Sequence, residues 1–110
     1  MSVVIRLETQ GIAERSSFHA AFAELFGFPD FYGANMDAWI DCMSYLREPA
    51  AGMSRVQLRA DEQVIIEVAD TAAFRRRCPE LFASLVECAA FVNQRYLDQG
   101  ERPAIAFAYL

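Results

Sequence analysis

Residues Val64–Val68 form a nearly continuous apolar run that is rich in β-branched side chains. Such a run is typical of a strand buried on both faces, as in a parallel sheet that is covered by helices. Segments Ser2–Glu8 and Ala104–Tyr109 are also rich in strand-forming residues. The sequence therefore predicts three strands, and each interval between them is long enough to hold a helical crossover.

The interval between the first and second predicted strands contains two helical patterns. Ser16 or Ser17 can cap a helix that runs to about Phe26 and is ended by Gly27. A turn that contains Pro and Gly then leads into a second helix, which is predicted over residues 34–46.

The interval between the second and third predicted strands favours a short helix followed by a long one. Asp70 or Thr71 can cap the short helix, which is expected to end near Arg77. Pro79 suits the first turn of the long helix, which is predicted to reach about Leu97. Apolar side chains recur along it at the helical period, so it is expected to pack on the sheet.

Residues 47–63 form the longest connection, and the apolar spacing at 53–58 fits a short strand or a turn of helix equally well. The order β-α-α-β-α-α-β predicts an α/β fold, with a small parallel three-stranded sheet packed with about four helices. The sequence has no repeats, low-complexity tracts or linkers. Residues 1–110 are therefore expected to form a single domain.

Composition places the chain among globular proteins, since 55% of its 110 residues are hydrophobic and 23% are charged. No apolar run approaches the roughly 18 residues of a membrane-spanning helix, and residues 1–8 look like a strand rather than a signal peptide. The cysteines have no CxxC spacing and are odd in number, which argues against a disulfide framework or a zinc site. These features predict a cytoplasmic protein without membrane association, metal or cofactor, and with small buried cysteines at Cys42, Cys78 and Cys88.

The net charge of −5 at pH 7 is unevenly distributed. Between Arg15 and Arg47 the only basic residue is His19, whereas the acidic residues in that interval are Glu24, Asp30, Asp37 and Asp41. The one basic cluster, residues 75–77, is short and lies close to acidic residues. Because phosphate contacts need a positive surface, direct binding of nucleic acid is not expected.

Asp37 and Asp41 lie four residues apart on the second predicted helix, so both carboxylates share one face. Asp37 is near the helix N-terminus, where the macrodipole stabilises an acid by about 0.3–1 kcal/mol. Asp41 lies beyond the first turn, and the two acids repel each other slightly. Neither has a basic residue three or four positions away in the helix. Asp37 is explained by the helix dipole or by an ordinary solvated face, whereas neither explains Asp41 as well. A binding role for Asp41 is therefore considered, since an uncompensated acidic stripe is suited to docking onto a positive surface.

Helical phasing separates the core side of this helix from its surface side. Trp39 falls with Met36 and Met43 on one side, whereas Ser44 falls with the two aspartates. Ile40 borders the polar stripe. Trp39 is therefore predicted to be buried and Ile40 to be partly exposed.

Residues 29–42 have the sequence Pro-Asp-Phe-Tyr-Gly-Ala-Asn-Met-Asp-Ala-Trp-Ile-Asp-Cys. This stretch resembles the barstar family, whose pattern is Pro, acidic, aromatic, Tyr, Gly, any residue, Asn, apolar, Asp, Ala, two large apolar or aromatic residues, Asp and Cys. The resemblance extends weakly upstream through Ser16–His19 and covers about a third of the chain. It implies a barstar-like fold, which agrees with the order of elements derived above.

The resemblance also implies a binding mode, in which the second helix and the loop before it plug a ribonuclease active site. Carboxylates then stand in for the phosphates of the substrate. Asp41 takes the position of the central acidic anchor, Asp37 that of its acidic neighbour, and Phe31 that of an aromatic that packs on the catalytic region of the enzyme. Ser44 replaces a small hydroxyl residue, and Ile40 replaces an exposed aromatic one. The implied partner-binding residues are Phe31, Tyr32, Gly33, Asn35, Asp37, Ile40, Asp41 and Ser44.

The implied partner is a basic ribonuclease of the extracellular type, bound one-to-one. Ribonuclease sites concentrate Arg, Lys and His, so opposite charge speeds the encounter. The sequence departs from the family in its last long helix, where the acidic contact falls near Asn93 or Gln94 and neither is charged. The connection over residues 47–63 is also longer than the family requires. These departures favour a different preferred ribonuclease or a loss of inhibition.

Two other classes of function stay open at this point. In an enzyme, Asp37 and Asp41 could act as an acid–base pair or hold Mg²⁺ together with Glu48. The chain has a single histidine and no glycine-rich phosphate loop, and His19 is expected to be a core or surface residue rather than a ligand. A chain that is not an enzyme is therefore expected. The other alternative is a regulatory binding module that keeps the barstar-like fold but binds a partner that is not a nuclease.

Overall fold

The computed structural model describes residues 2–110 and shows one sheet of three strands. The strands are β1 (Ser2–Leu7), β2 (Gln63–Val68) and β3 (Ile105–Tyr109). β2 lies in the middle, and both of its neighbours run parallel to it. The predicted parallel sheet of three strands is confirmed.

Four α-helices connect the strands within residues 2–110. They are α1 (Arg15–Phe26), α2 (Met36–Met43), α3 (Thr71–Arg77) and α4 (Pro79–Asp98). The order β-α-α-β-α-α-β is therefore the predicted one, with a short 3₁₀ turn at Pro49–Ala51 in addition. No helix in the described part of the chain is long and apolar enough to cross a membrane.

The central strand β2 is fully buried on one face only. Val64, Ile66 and Val68 are completely shielded from solvent, whereas the residues that alternate with them are half-buried. On the second face, Ile65 pairs with Val4 of β1, which is 56% exposed. The prediction of a strand buried on both faces is therefore wrong for the second face, where apolar β-branched residues lie near solvent.

The predicted cap of α1 is also wrong, because Glu14 rather than Ser16 or Ser17 is the residue that precedes the helix. The hydroxyl of Ser17 accepts a hydrogen bond of 3.1 Å from the Glu14 N–H, so this serine supports the helix start from within the first turn. At the other end, Gly27 ends the helix as predicted. Its φ of 66° lies in the left-handed region, and its N–H donates to the Ala23 carbonyl.

α2 is shorter than the predicted helix over residues 34–46. Asn35 precedes it, and the Asn35 side chain accepts a hydrogen bond of 2.8 Å from the Ala38 N–H. The helix ends at Met43, where the Tyr96 hydroxyl from α4 donates to the Met43 carbonyl at 2.9 Å. The same hydroxyl accepts from the Leu46 N–H at 3.1 Å. A tertiary contact thus replaces the last helical turn.

The connection over residues 47–63 contains neither the short strand nor the α-helical turn considered for 53–58. Side-chain hydrogen bonds hold it instead. Arg47, whose side chain is 5% exposed, donates to the carbonyls of Arg102 and Glu62 at 2.7 Å each. The Ser54 hydroxyl donates to the Phe26 carbonyl at 2.9 Å. These contacts follow no sequence period, so apolar spacing could not predict them.

The second crossover agrees with its prediction except at the start of α3. Asp70 precedes α3 with a φ of 47°, but its side chain makes no capping hydrogen bond, and the Thr71 hydroxyl donates to the Val68 carbonyl instead. Pro79 occupies the first turn of α4, as predicted. The three cysteines are free thiols; Cys42 and Cys78 are buried as expected, whereas Cys88 is only half-buried.

Candidate functional site

The loop between α1 and α2 is fixed from inside by aromatic packing. The Tyr32 ring lies 4.7 Å from the Phe28 ring and 5.7 Å from the His19 ring, measured between centroids. The Tyr32 N–H also donates to the Pro29 carbonyl at 2.9 Å, which closes a turn. Phe31 lies inside that turn and is 76% exposed. The loop therefore holds one aromatic ring out in solvent while its neighbours are anchored.

Tyr32 and His19 form a partly buried polar contact beneath this loop, with 2.6 Å between the Tyr32 hydroxyl oxygen and His19 Nδ1. Burial raises the pKa of Tyr32 far above its ordinary value. Burial, and then the charge of Arg15, lowers the pKa of His19. Both side chains are therefore neutral near pH 7, and the Tyr32 O–H can donate to a histidine that carries its proton on Nε2. The Tyr32 hydroxyl therefore makes its hydrogen bond inside the protein, to His19.

Asn35 and Gly33 shape the last turn before α2. Besides capping the helix, the Asn35 side chain donates a long hydrogen bond of 3.4 Å to the Gly33 carbonyl. Ala34, between them, has a φ of 52°, which is a left-handed conformation that alanine adopts rarely. Gly33 and Asn35 are both exposed. The structure thus gives these two predicted site residues a role in building the loop.

α2 presents the predicted polar stripe to solvent. Asp37 and Asp41 are exposed, and Ile40 and Ser44 beside them are half-buried. We refer to these four residues as the α2 face. The Ser44 hydroxyl donates to the Ile40 carbonyl at 2.6 Å, which restrains its orientation.

The opposite side of α2 lies in the core. Trp39 is fully buried, as predicted, and its ring meets Phe22 of α1 edge-on at 5.6 Å. Cys42 is buried as well, and burial, with Asp41 adding to it, raises the pKa of its thiol to about 11. Core packing of Trp39 and Cys42 therefore fixes the rotation of α2 and keeps the two carboxylates on the outside.

A basic side chain from another helix lies against Asp41. Arg95 of α4 places Nη1 3.6 Å from Asp41 Oδ1 and donates a hydrogen bond of 3.3 Å to the Ser44 hydroxyl. The Arg95 and Asp41 side chains stay 43% and 60% exposed. The expectation of an uncompensated acidic stripe is therefore wrong for Asp41. Asp37 forms no ion pair with any residue in 2–110.

The positions where the family places an acidic contact on α4 have internal roles here. Asn93 accepts hydrogen bonds from the N–H groups of Ala104 and Ile105 at 3.0 Å each and donates to the Ile105 carbonyl. Asn93 thus ties α4 to the start of β3. Gln94 donates to Asp98 along the helix surface. Arg95 is the α4 residue that forms an ion pair with the α2 face.

Three residues near this surface were missed by sequence reasoning. Arg95 belongs to the surface through its contact with Asp41, Phe91 lies under the Arg95 guanidinium, and Tyr96 fixes the end of α2. Arg95 and Tyr96 act through contacts with α2 residues that lie more than 50 positions earlier in the sequence, and Phe91 acts through Arg95. The helical period of α4 marks Tyr96 as a core position but gives no information about its hydroxyl.

No group of three His, Cys, Asp or Glu side chains within residues 2–110 is arranged to hold a metal ion. Asp37 and Asp41 are aligned on α2, whereas Glu48, the third residue of the alternative metal set, follows the end of that helix. The candidate surface thus consists of the loop with Phe31, the α2 face and Arg95.

Comparison with known proteins agrees with the fold. Residues 2–108, nearly the whole chain, match the family described as Barstar (barnase inhibitor). No curated protein matches the sequence. The family match extends far beyond the motif at residues 29–42 and covers β1, β2, all four helices described above and β3 except its last residue. The chain therefore belongs to the barstar family.

Proposed function

We propose that this chain inhibits a basic ribonuclease by binding it one-to-one and covering its active site with α2 and the preceding loop. The observation that carries the proposal is the joint exposure of Phe31, Asp37 and Asp41 on an otherwise anchored surface. The proposed contact residues are the eight implied by the resemblance: Phe31, Tyr32, Gly33, Asn35, Asp37, Ile40, Asp41 and Ser44.

The proposed mechanism is electrostatic imitation of the RNA backbone. A ribonuclease site holds phosphate with cationic side chains, so Asp37 and Asp41 attract it at long range and accept charge-assisted hydrogen bonds at contact. Phe31 adds apolar area at the edge of the acidic face. Asp37 and Asp41 act together in steering, whereas Asp41, next to Ser44, is the proposed anchor.

The anchoring of the loop and the helix supports tight binding. Asn35 caps the start of α2, Tyr96 holds its end, and Tyr32 ties the loop to His19. A surface whose shape is set before binding loses less conformational entropy when it docks. Phe31 is the exception, and its exposed ring is the part that gains most order on binding.

The proposal also includes the compartment, the source and the non-catalytic nature of the protein. We take the chain to be a cytoplasmic, bacterial, non-catalytic protein that needs no cofactor and acts as a single unit of residues 1–110. Family membership supports the inhibitory role, since members of this family are inhibitors rather than enzymes.

A second candidate function is a regulatory module that binds a partner other than a nuclease. The contact between Arg95 and Asp41 favours it, because a cation beside the anchor weakens attraction to a site that is purely cationic. The two functions differ in a simple observable, since only the first one stops RNA cleavage.

The test is a titration of barnase with the purified chain, with RNA cleavage as the readout. The proposal predicts that cleavage falls in proportion to added chain and stops at one equivalent, and that a one-to-one complex is seen by light scattering. Unchanged cleavage at excess chain, with no complex at low ionic strength, would contradict the proposal for this class of ribonuclease and favour the regulatory module.

A further inference from the structure

Arg95 is only partly used by its contacts within the protein. Its Nη1 lies near Asp41 and Ser44, whereas Nη2 and Nε donate to no residue among 2–110. The guanidinium carbon lies 5.1 Å from the centre of the Phe91 ring, and Phe91 is 52% exposed. The guanidinium is therefore held in place on two sides and still has donors free for a ligand.

This arrangement gives the surface two charges of opposite sign next to each other. Asp41, which is 60% exposed, can still accept hydrogen bonds from a cation, and Arg95, which is 43% exposed, can still donate them. Arg presents its donors as a planar fork that matches both oxygens of a carboxylate. Packing on an aromatic ring holds that fork in one orientation before the ligand arrives.

We propose that Arg95 and Phe91 form a second contact point, which receives a carboxylate of the protein partner while Asp41 receives a neighbouring cation. The inference rests on the proposed function for the location of the docking surface, and it adds the chemistry that the partner must show. The partner presents an Asp or Glu next to an Arg or Lys, so that both charges of the pair are matched.

The pairing has a consequence for specificity. A partner whose facing surface is entirely cationic meets repulsion from Arg95, whereas a partner of mixed charge gains an ion pair there. Arg95 therefore selects between basic partners that Asp37 and Asp41 alone would attract equally. Phe91 contributes apolar contact next to this ion pair and excludes water from one side of it.

The test uses two alanine-based helical peptides as probes. One carries Arg and Glu four positions apart, and the other carries Arg at both positions. Each peptide is titrated into the ¹⁵N-labelled full chain at low salt. Dissociation constants are taken from the changes in amide chemical shift of residues 41 and 95 in each protein. The variants are Arg95→Glu and the control Arg76→Glu, which changes the net charge equally at an exposed position on α3. Thermal unfolding checks that both variants are folded.

The proposal predicts effects of opposite sign for the two peptides. Arg95→Glu should weaken binding of the Arg/Glu peptide by about fivefold and strengthen binding of the Arg/Arg peptide, because an exposed ion pair is lost in one case and gained in the other. Arg76→Glu should strengthen binding of the Arg/Arg peptide slightly and leave binding of the Arg/Glu peptide almost unchanged, because only the Arg/Arg pair has a net charge. The proposal is overturned if Arg95→Glu strengthens both peptides, if it acts like Arg76→Glu, or if the Arg/Glu peptide does not bind the unmodified chain at millimolar concentration.

The outcome is separable from that of the proposed function, because no nuclease takes part in the peptide experiment. A chain that fails to inhibit barnase but shows the sign reversal has the mixed-charge surface and a different partner. A chain that inhibits barnase without the sign reversal is an inhibitor whose Arg95 does not receive a carboxylate.

Discussion

The Tyr32 hydroxyl oxygen lies 2.6 Å from His19 Nδ1, and this contact joins the exposed loop to the buried side of α1. The histidine is enclosed, with only 3% of its surface exposed. Since burial lowers the pKa of His19, the folded state favours the neutral form of this side chain. The stability of the fold and the shape of the proposed docking surface therefore depend on the same pair of side chains.

Acidification should destabilise the protein through His19. The unfolded chain has the ordinary histidine pKa of about 6.5, and the folded state has a lower one. Between these two values the unfolded state binds more protons, so the free energy of unfolding falls as the pH drops below about 6.5 and stops changing for this group below the folded pKa. Urea unfolding at several pH values between 7.5 and 5 measures the slope, and His19→Gln should make it shallower. Equal slopes in the two proteins would contradict this account.

Tyr32→Phe should lower the free energy of unfolding by about 1–2 kcal/mol, because it removes a partly buried hydrogen bond and leaves Nδ1 of the buried His19 without its partner. The matched control is Tyr45→Phe, at a tyrosine that is 41% exposed and whose hydroxyl bonds to no residue in 2–110. Urea unfolding of both variants at pH 7 gives the comparison. An equal, small effect of the two substitutions would show that the contact with His19 adds no stability.

Tyr96→Phe should destabilise the end of α2. Its hydroxyl serves the Met43 carbonyl and the Leu46 N–H together, so its loss leaves two backbone groups unsatisfied and costs about 1–3 kcal/mol. Hydrogen exchange should accelerate at the Leu46 amide in particular. Tyr109→Phe, at a ring that is 51% exposed, is the control. Unchanged protection of Leu46 would mean that another contact ends the helix.

Asn35→Ala should cost about 0.5–2 kcal/mol of stability, since it removes the side-chain cap of α2. Asn35→Asp keeps the oxygen that accepts from the Ala38 N–H, and it should retain most of that stability. Thermal unfolding of the two variants separates the cap from general effects of substitution. A loss as large in Asn35→Asp as in Asn35→Ala would argue that the amide contact with Gly33 matters more.

Local patterns were sufficient to predict the topology. Apolar runs marked the strands, Gly27 and Pro79 marked helix ends, and helical phasing placed Trp39 in the core. These features depend on residues close in sequence, for which period and backbone preference carry information. The predicted start of α1 was wrong because the residue that precedes the helix is Glu14, which is not a strong capping residue. Ser17 supports the helix start from within the first turn.

The charge balance of the surface could not be predicted in the same way. Arg95 lies 54 positions after Asp41, and only the packing of α4 against α2 brings the two within 3.6 Å. Tyr96 shortens α2 through the same packing, and Asn93 bonds to β3 rather than facing a partner. Sequence period shows which side of a helix is apolar, but it does not show which polar residues of two helices meet.

The most direct test of the account is the affinity of barnase for Asp41→Asn compared with Asp61→Asn. Both substitutions remove one negative charge from an exposed position, but Asp61 lies in the connection before β2 and outside the α2 face. A hydrogen bond to a charged group contributes about 1.5–3 kcal/mol, so Asp41→Asn should raise the dissociation constant by about 10- to 150-fold. Asp37→Asn should have a smaller effect, and Asp61→Asn should have almost none. Equal affinities of the unmodified chain, Asp41→Asn and Asp61→Asn would contradict the claim that Asp41 anchors the partner.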